Sequence, residues 1–466
     1  MNPSTKDFRE TLYTIRKDGS RKWVYPTLSR GWFYYRRAAV VGVLLCLYLL
    51  TPWIVVDGHQ AILLDVVHRK FTFFGTTFWA TDTIFLVMLL GAAAISLFFF
   101  TAMFGRIWCG WACPETVFLE FVFRPIERII EGNSAERLRL DQRPWGGEKC
   151  LKKGIKLLIF AFISWFLAST ALAYFVGREA LIAMIFGSPL DHLPLFVVTV
   201  VWSALLVFQF GWFREQFCTV LCPYARFQSV LLDSHSLLVG YDTQRGEPRG
   251  KARKDAVETR IGDCVDCGAC VRTCPTGIDI RNGLQLECIQ CAQCADACDA
   301  VMAKLGRPLG LVRYDTEAGL TKGRRALLRP RVFVYAGILA IYAVVFTYSL
   351  ISREVSEFKI LRLPGGASFS ITPEGLVANQ LQLHITNKGK ARRLYSVRLV
   401  GADDVTVITP VEKFPVAAGA DGRLPLFLEF QKASLVGGKR EMALEVFDDD
   451  GFRKQASVTV LGPDSR

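Results

Sequence analysis

Five stretches of this chain are apolar over a length that crosses a bilayer core, which takes about 20 residues. They are 38–56, 83–104, 155–176, 193–213 and 332–351, each nearly free of charge inside and bounded by Arg, Lys, Asp or Gly. Trp32, Tyr34, Tyr35, Trp53, Trp79, Trp108, Trp111 and Trp212 stand near their ends, where interfacial anchors belong. A mean hydropathy of +0.28 with 34 Phe and 10 Trp excludes a wholly soluble chain and the disordered and fibrous classes. The first stretch is too long and too far from the N-terminus for a cleaved signal peptide, and is expected to stay as a signal anchor.

Lys and Arg set the expected orientation. Residues 1–37 hold 9, 57–82 hold 2, 105–154 hold 9, 178–192 hold 1 and 214–331 hold 18. The alternation places the first, third and fifth of these segments inside and the C-terminal tail outside. The net charge of +13 is therefore mostly a topology signal. No basic patch shows the aromatic interleaving of a nucleic-acid reader, so no nucleic-acid partner is expected.

Eight of the 14 Cys fall in one inside loop, as Cys264-x2-Cys267-x2-Cys270-x3-Cys274-Pro275 and Cys288-x2-Cys291-x2-Cys294-x3-Cys298. This is the spacing of a bacterial two-cluster ferredoxin, in which the fourth Cys of each run ligates the other cluster. It assigns one [4Fe–4S] cluster to Cys264, Cys267, Cys270 and Cys298, and the other to Cys288, Cys291, Cys294 and Cys274. Zinc takes paired CxxC units rather than this triple-plus-one, and thiols in an inside loop stay reduced. Asp299 follows Cys298 where the pattern has Pro, which changes the local turn but removes no ligand. There is no CxxCH for covalent haem and no GxGxxG after a strand for an in-chain flavin or nicotinamide.

Four further Cys form two Cys-x3-Cys-Pro elements, Cys109…Cys113-Pro114 and Cys218…Cys222-Pro223, each just after an even-numbered span. They read as copies of one unit, and a duplicated unit in one bundle brings both pairs close together. Pro suits the first turn of a helix, so Cys113 and Cys222 are expected at helix N-termini, where the dipole favours thiolate. Four such sulfurs would make a soft site for Cu(I) or a dithiol relay; the bland alternative is packing cysteines in helix-linking turns. After the first pair, Phe118, Phe121, Val122, Ile126, Ile129 and Ile130 alternate with Glu and Arg, as in an interfacial helix. Cys46 reads as a packing residue and Cys150 as bland. His59 and His68 are too far apart for an i,i+4 pair.

The tail holds no Cys, and short alternating runs at 381–385, 395–399, 405–408, 424–430, 442–447 and 457–461 alternate with turn residues. Such spacing predicts an immunoglobulin-type β-sandwich without a catalytic constellation, His384 being a packed or surface residue.

With these residues in view, the chain resembles the cytochrome c oxidase accessory protein family of the CcoG/FixG/RdxA type. The resemblance rests on Phe104-Gly105-Arg106 with Trp108-Cys109-Gly110-Trp111-Ala112-Cys113-Pro114, on Phe217-Cys218…Cys222-Pro223-Tyr224-Ala225-Arg226-Phe227-Gln228, on the eight ferredoxin cysteines and on the Ig-like tail. Gln60-Ala61-Ile62-Leu63, Arg69-Lys70-Phe71 and Phe74-Gly75 also match that family's first outer loop. It implies a polytopic α-helical protein of the bacterial inner membrane: an N-terminal cytoplasmic tail (1–37), a four-span bundle with the Cys-x3-Cys-Pro elements at its ends (38–213), a cytoplasmic loop (214–331) with a two-cluster ferredoxin-like domain at about 255–305, a fifth span (332–351) and a periplasmic Ig-like domain (352–466).

The resemblance further implies an oxidoreductase, a cupric reductase serving assembly of cbb3-type cytochrome c oxidase, with Cys109, Cys113, Cys218 and Cys222 as the copper-linked residues. Its partners would be membrane lipid, oxidase-assembly and copper-handling proteins and a cytosolic electron donor, with room for a homo-oligomer. The competing readings are a quinol-oxidising conduit and an assembly scaffold whose clusters only stabilise the fold. Against the conduit, no charged residue lies deep in a span; Asp82 and Asp191 sit at the ends.

Overall fold

The computed structural model describes residues 14–15, 18, 20–79, 82–250, 262–323, 329–362, 369–389, 391–402 and 404–463. The expected start of the ferredoxin-like domain near residue 255 lies outside them. The chain forms two compact units, one of Met1–Arg69 with Thr83–Val345, the other of Lys70–Asp82 with Phe346–Arg466.

Among the described residues five helices are long and apolar enough to cross a membrane, at Trp32–Trp53, Thr83–Phe104, Gly147–Val176, Leu193–Phe213 and Pro330–Ile351, the last running past the end of the first unit. The second and fourth have the expected bounds. The first begins at Trp32 rather than 38, because both Arg ahead of residue 38 are accommodated on the helix: Arg36 stacks 3.8 Å over the Trp32 ring, and Arg37 is buried and donates to the Gly110 carbonyl. Its α-helical part stops at Leu50, ahead of Pro52, and Val55–Val56 then pairs with His59–Gln60. The third begins at Gly147 rather than 155. Lys149 caps the carbonyls of Asp141 and Arg143, while Lys153 and Lys156 both reach Glu131, so a basic first half stays helical. Cys150 is an exposed residue of this helix, and Cys46 is exposed on the first span rather than packed.

Between the second and third spans the chain makes short helices at Ile107–Trp111 and Pro114–Phe118, a π turn at Leu119–Phe123, and helices at Arg124–Glu131 and Ser134–Gln142. The alternating pattern here does not make a helix with its charges outward. Glu120, Arg124, Glu127 and Glu131 are buried, whereas Ile129 is 83% exposed. Arg124 pairs with Glu120 and Glu215, and Glu127 with Arg137 and Arg214, so the charged face is the packed one. Phe123, Phe160 and Phe210 form the aromatic centre beneath it, with ring centroids 4.7 and 4.4 Å apart.

The cysteine-rich segment is closed by pairing its ends: Leu237–Tyr241 runs antiparallel to Val312–Thr316. It docks on the first span, whose opening amides at Phe33 and Tyr34 donate to the Asp296 carboxylate at 3.0 and 2.8 Å.

The second unit is a β-sandwich of two antiparallel sheets. One has the order Val405–Ile408, Asp421–Phe430, Val377–Asn387, Ser356–Arg362, with Ser370–Ile371 also on Val377–Asn387; the other runs Phe414–Val416, Arg393–Val400, Lys439–Asp448, Arg453–Leu461. All six expected strands are present. Ser356–Arg362, Ser370–Ile371 and Phe414–Val416 are additional, too short or too charged to show alternation. Leu383, Ile385, Leu426, Leu428, Leu444 and Val446 fill the centre. The hairpin Lys70–Phe73 and Thr76–Phe78 belongs to this unit, where Asp82 is buried against Arg353 and Lys388.

Candidate functional site

The two cysteine runs fold alike because both hold left-handed backbone at the same places. Asp266 and Gln290, just before the second Cys of each run, have φ of 51° and 54°; Gly268 and Ala292, just after it, have φ of 65° and 58°. Successive left-handed turns aim amides inward and suit an anionic centre. The Gln290 and Gln293 amides face the sulfurs of Cys288 and Cys291 and favour their thiolates.

Two cavities result. The inner one, of about 340 Å³, is lined by Cys274, Cys288, Cys291 and Cys294 with Cys270, Ile278 and Ile280. The outer one, of about 350 Å³, is lined by Cys264, Cys267, Cys270 and Cys298 with Tyr241, Arg281 and Met302. The fourth Cys of each run thus lines the cavity of the other run. Asp299 sits inside the helix Gln293–Lys304, where Pro would break the ladder, and its carboxylate accepts from the Gly310 amide at 2.8 Å.

Burial pushes these thiols up, Cys270 and Cys291 to about 11 and Cys288 and Cys298 to about 12. Alone they would stay protonated, so cationic iron has to be present for them to act as thiolates. Four sulfurs around each of two apolar cavities fit [4Fe–4S] clusters. Among the described residues no three His, Cys, Asp or Glu side chains are set to hold a single metal ion.

The two Cys-x3-Cys-Pro elements share one geometry. The Cys113 amide donates to the Trp108 carbonyl at 2.9 Å and the Cys222 amide to Phe217 at 2.8 Å, both i→i+5 bonds. Each second Cys then leaves the helical region, with ψ of 128° at Cys113 and 111° at Cys222, and Pro opens the next helix. Cys109 is buried, and Cys113, Cys218 and Cys222 are half-buried. The two pairs lie within electrostatic reach of each other, the Cys109 thiol feeling the charges of Cys113 and Cys222 and Cys218 those of Cys113, Cys109 and Cys222, but no three of the four are set to hold one metal ion.

The expected lowering by the helix N-terminus is outweighed. Burial pushes Cys113 up although the Glu115 and Thr116 amides oppose it, and it pushes Cys109 up to about 11 and Cys218 well above its usual range. The N-terminal amides are there, but the dielectric around them is low, and uncharged thiols are favoured until a cation arrives.

Several residues at this site escaped the sequence reading. The Cys109 thiol donates to Gln228 Oε1 at 3.4 Å, and Gln228 also accepts from Arg106 Nε at 2.9 Å. The Arg106 amide donates to Gln290 Oε1 at 2.8 Å, tying this element to the loop between Cys288 and Cys291. Trp111, expected as an interfacial anchor, donates its indole N–H to the Tyr314 hydroxyl at 2.9 Å. Glu115 lies beside Cys218, and burial pushes its carboxyl up to about 7. Arg106 and Gln228 were visible only as parts of the quoted stretches, since a polar side chain's burial leaves no sequence signal. Of the histidines, His68 pairs with Asp65 at 2.7 Å and His384 with Asp421 at 3.0 Å.

Comparison with known proteins adds a family. A 4Fe-4S dicluster domain matches residues 213–317, a 4Fe-4S binding domain residues 84–132, and the IG-like fold at the C-terminal of FixG residues 346–463. Nitrogen fixation protein FixG of Rhizobium meliloti is 36% identical over 442 residues, 85% of this chain and 84% of that one. Protein RdxA of Cereibacter sphaeroides is 33% identical over 464 residues, 95% of this chain and 96% of its own. Protein RdxB of the same organism is 33% identical over 403 residues, 83% of this chain and 84% of its own.

Proposed function

Since the chain belongs to the FixG/RdxA family and is a membrane-associated iron–sulfur electron-transfer protein, we propose that it reduces Cu(II) to Cu(I) for assembly of a cbb3-type cytochrome c oxidase. The observation that carries the reading is the approach of the first Cys-x3-Cys-Pro element to the inner cavity. Cys109 packs with Ile289 and Cys291, and Cys218 of the second pair feels the charges of Cys109 and Cys113.

When bound, the two clusters supply electrons one at a time. Cys264, Cys267, Cys270 and Cys298 would hold the outer cluster, and Cys274, Cys288, Cys291 and Cys294 the inner one. Cys109, Cys113, Cys218 and Cys222 receive the copper substrate, each Cu(II) gaining one electron to become Cu(I). Soft thiolates favour that product over the harder Cu(II). Gln228 fixes the Cys109 sulfur, and the Glu115 and Thr116 amides face Cys113.

We place the protein in a bacterial inner membrane with the N-terminus and ferredoxin segment cytoplasmic and the sandwich periplasmic. The Lys and Arg counts support this, as does the hairpin of residues 70–82, which follows the first span and folds with the tail beyond the fifth. In this reading the electron donor is cytosolic and the partners are copper-handling and oxidase-assembly proteins.

A second reading, a conduit fed by a quinol, is favoured by one feature. An open pocket lined by Arg106, Asp233, Gln285, Leu286 and Glu317 shares Cys288 with the inner cavity.

The test is anaerobic. The reduced protein in detergent is mixed with Cu(II) and a Cu(I) chelator, beside variants with Cys109 and Cys113, or Cys218 and Cys222, changed to Ser. The expected result is Cu(I) from the wild type, with its loss in variants that keep their iron. Clusters that ignore Cu(II) but exchange electrons with a short-chain quinone would replace this reading with the second.

A further inference from the structure

Arg37 is completely buried and has no carboxylate partner among the described residues. Its Nε donates to the Gly110 carbonyl at 2.8 Å, and its Nη2 has no partner. Gly110 in turn lies directly against the backbone of Cys291 of the inner cavity. Arg106, 3% exposed, is the second such group: it bonds to Gln228 and the Leu286 carbonyl but to no carboxylate among the described residues, and it lines one pocket with Cys288. A third guanidinium, Arg124, donates to the carbonyl of Pro275 beside Cys274, but Glu120 and Glu215 already neutralise it.

The outer cavity is different. Its one lining guanidinium, Arg281, is paired with Asp279 at 2.7 Å and Asp266 at 2.5 Å, and Asp299 acts on Cys298. The outer guanidinium is thus ion-paired, while the two buried guanidiniums at the inner site make no ion pair among the described residues, Arg37 facing Asp296 and Cys291 facing Glu120 only at longer range. Burying unpaired charge is costly, so the fold needs an anion where these two point. A cluster held by four thiolates is such an anion, and each added electron makes it more negative.

We propose that Arg37 and Arg106 are the counter-ions of the inner cluster and raise its reduction potential above that of the outer one. An electron entering near Cys267, the exposed ligand of the outer site, then comes to rest at the inner end, beside Cys109. One cluster is oxidised by one electron and the other reduced by one, with no bond or proton changed. Solvent near Cys267 stabilises added charge at the outer site, but two unscreened guanidiniums in a low-dielectric interior act more strongly. The inference rests on the cluster ligands assigned above and not on copper being the acceptor.

The test is a redox titration of the full chain in detergent, followed by electron paramagnetic resonance, with iron and sulfide assayed on each sample. Fewer than two clusters in the wild type would mean that the ligand assignment fails, separately from the ordering. With two present, Cys267→Ser is expected to move the lower midpoint, Arg37→Gln to shift only the higher one downward, and Arg37→Lys to hold it near the wild-type value. A single unresolved wave, a response of the higher midpoint to Cys267→Ser, or no response to Arg37→Gln would overturn the proposal. Should Arg37→Gln fail to load iron, Cys267→Ser alone decides the ordering.

Discussion

Gly110 lies directly against Cys291. A β-carbon at Gly110 would come 2.9 Å from the Cys291 backbone nitrogen and α-carbon, and 2.6 Å from the Ile289 carbonyl oxygen. The loop that carries an inner-cluster ligand and the loop that carries Cys109 therefore touch backbone to backbone, with no side chain between them. In the function proposed above, that contact joins the ferredoxin segment and the first Cys-x3-Cys-Pro element in one electron-transfer path.

Gly110→Ala tests the path. The methyl group has to separate two packed backbones, since close-packed interiors do not yield to added volume. The variant is expected to keep wild-type iron but to reduce Cu(II) at least about tenfold more slowly, as displaced reacting groups do. Stopped-flow bleaching of the clusters reads the rate, and a wild-type rate would remove the contact from the path.

Ala292 occupies a left-handed position that the first run gives to Gly268. A non-glycine residue there is strained by about 1–2 kcal/mol, and a β-branched one by more. Ala292→Gly should therefore load clusters normally, whereas Ala292→Val should lose the inner cluster, halving the iron per chain to about four. Equal iron in both variants would show that this turn does not depend on the left-handed backbone.

In the sandwich unit, the Asp82 carboxylate bonds Lys388 at 2.6 Å and Arg353 at 2.5 Å. Burial pushes its carboxyl up, but Lys388, the Trp79 amide and Arg353 overcome that and hold it below its ordinary value. The pairs therefore contribute fully above about pH 3.9, and their contribution is lost as pH falls through the lower folded value. Asp82→Asn should destabilise this unit by about 3 kcal/mol at pH 7 and flatten its acid transition, measured by hydrogen exchange of the tail strands. An acid transition unchanged in the variant would assign it to other carboxylates.

Asp296 caps the first span from the ferredoxin segment, and a β-carbon on Gly31 would collide with its side chain. Asp296→Ala should cost about 1–2 kcal/mol and deprotect the Phe33 and Tyr34 amides in hydrogen exchange. Unchanged protection would mean that the helix start does not need this carboxylate.

What the sequence makes legible is local. Eight cysteines at fixed spacing, two repeated Cys-x3-Cys-Pro elements, five apolar runs and six alternating strands all write their structure into neighbouring residues. What stays hidden depends on partners far along the chain. Arg37 stands where a flanking charge belongs, and only its bond to Gly110 explains why the first span begins ahead of it. The charged face of Arg124–Glu131 looks solvent-facing until Arg214 and Glu215, arriving after the fourth span, neutralise it from inside. The N-terminal placement of Cys113 was readable, but its burial, which reverses the direction of its titration, was not.

The most direct measurement is an electron count in a single turnover. The protein is reduced anaerobically, freed of reductant and titrated with Cu(II), while cluster oxidation and the Cu(II) resonance are followed on the same sample. The account predicts that the first two coppers per chain become Cu(I) as about two clusters are oxidised, one electron each, and that changing Cys109, Cys113, Cys218 and Cys222 to Ser abolishes this while the clusters stay reduced. A Cu(II) resonance that persists beside fully reduced wild-type clusters would contradict it.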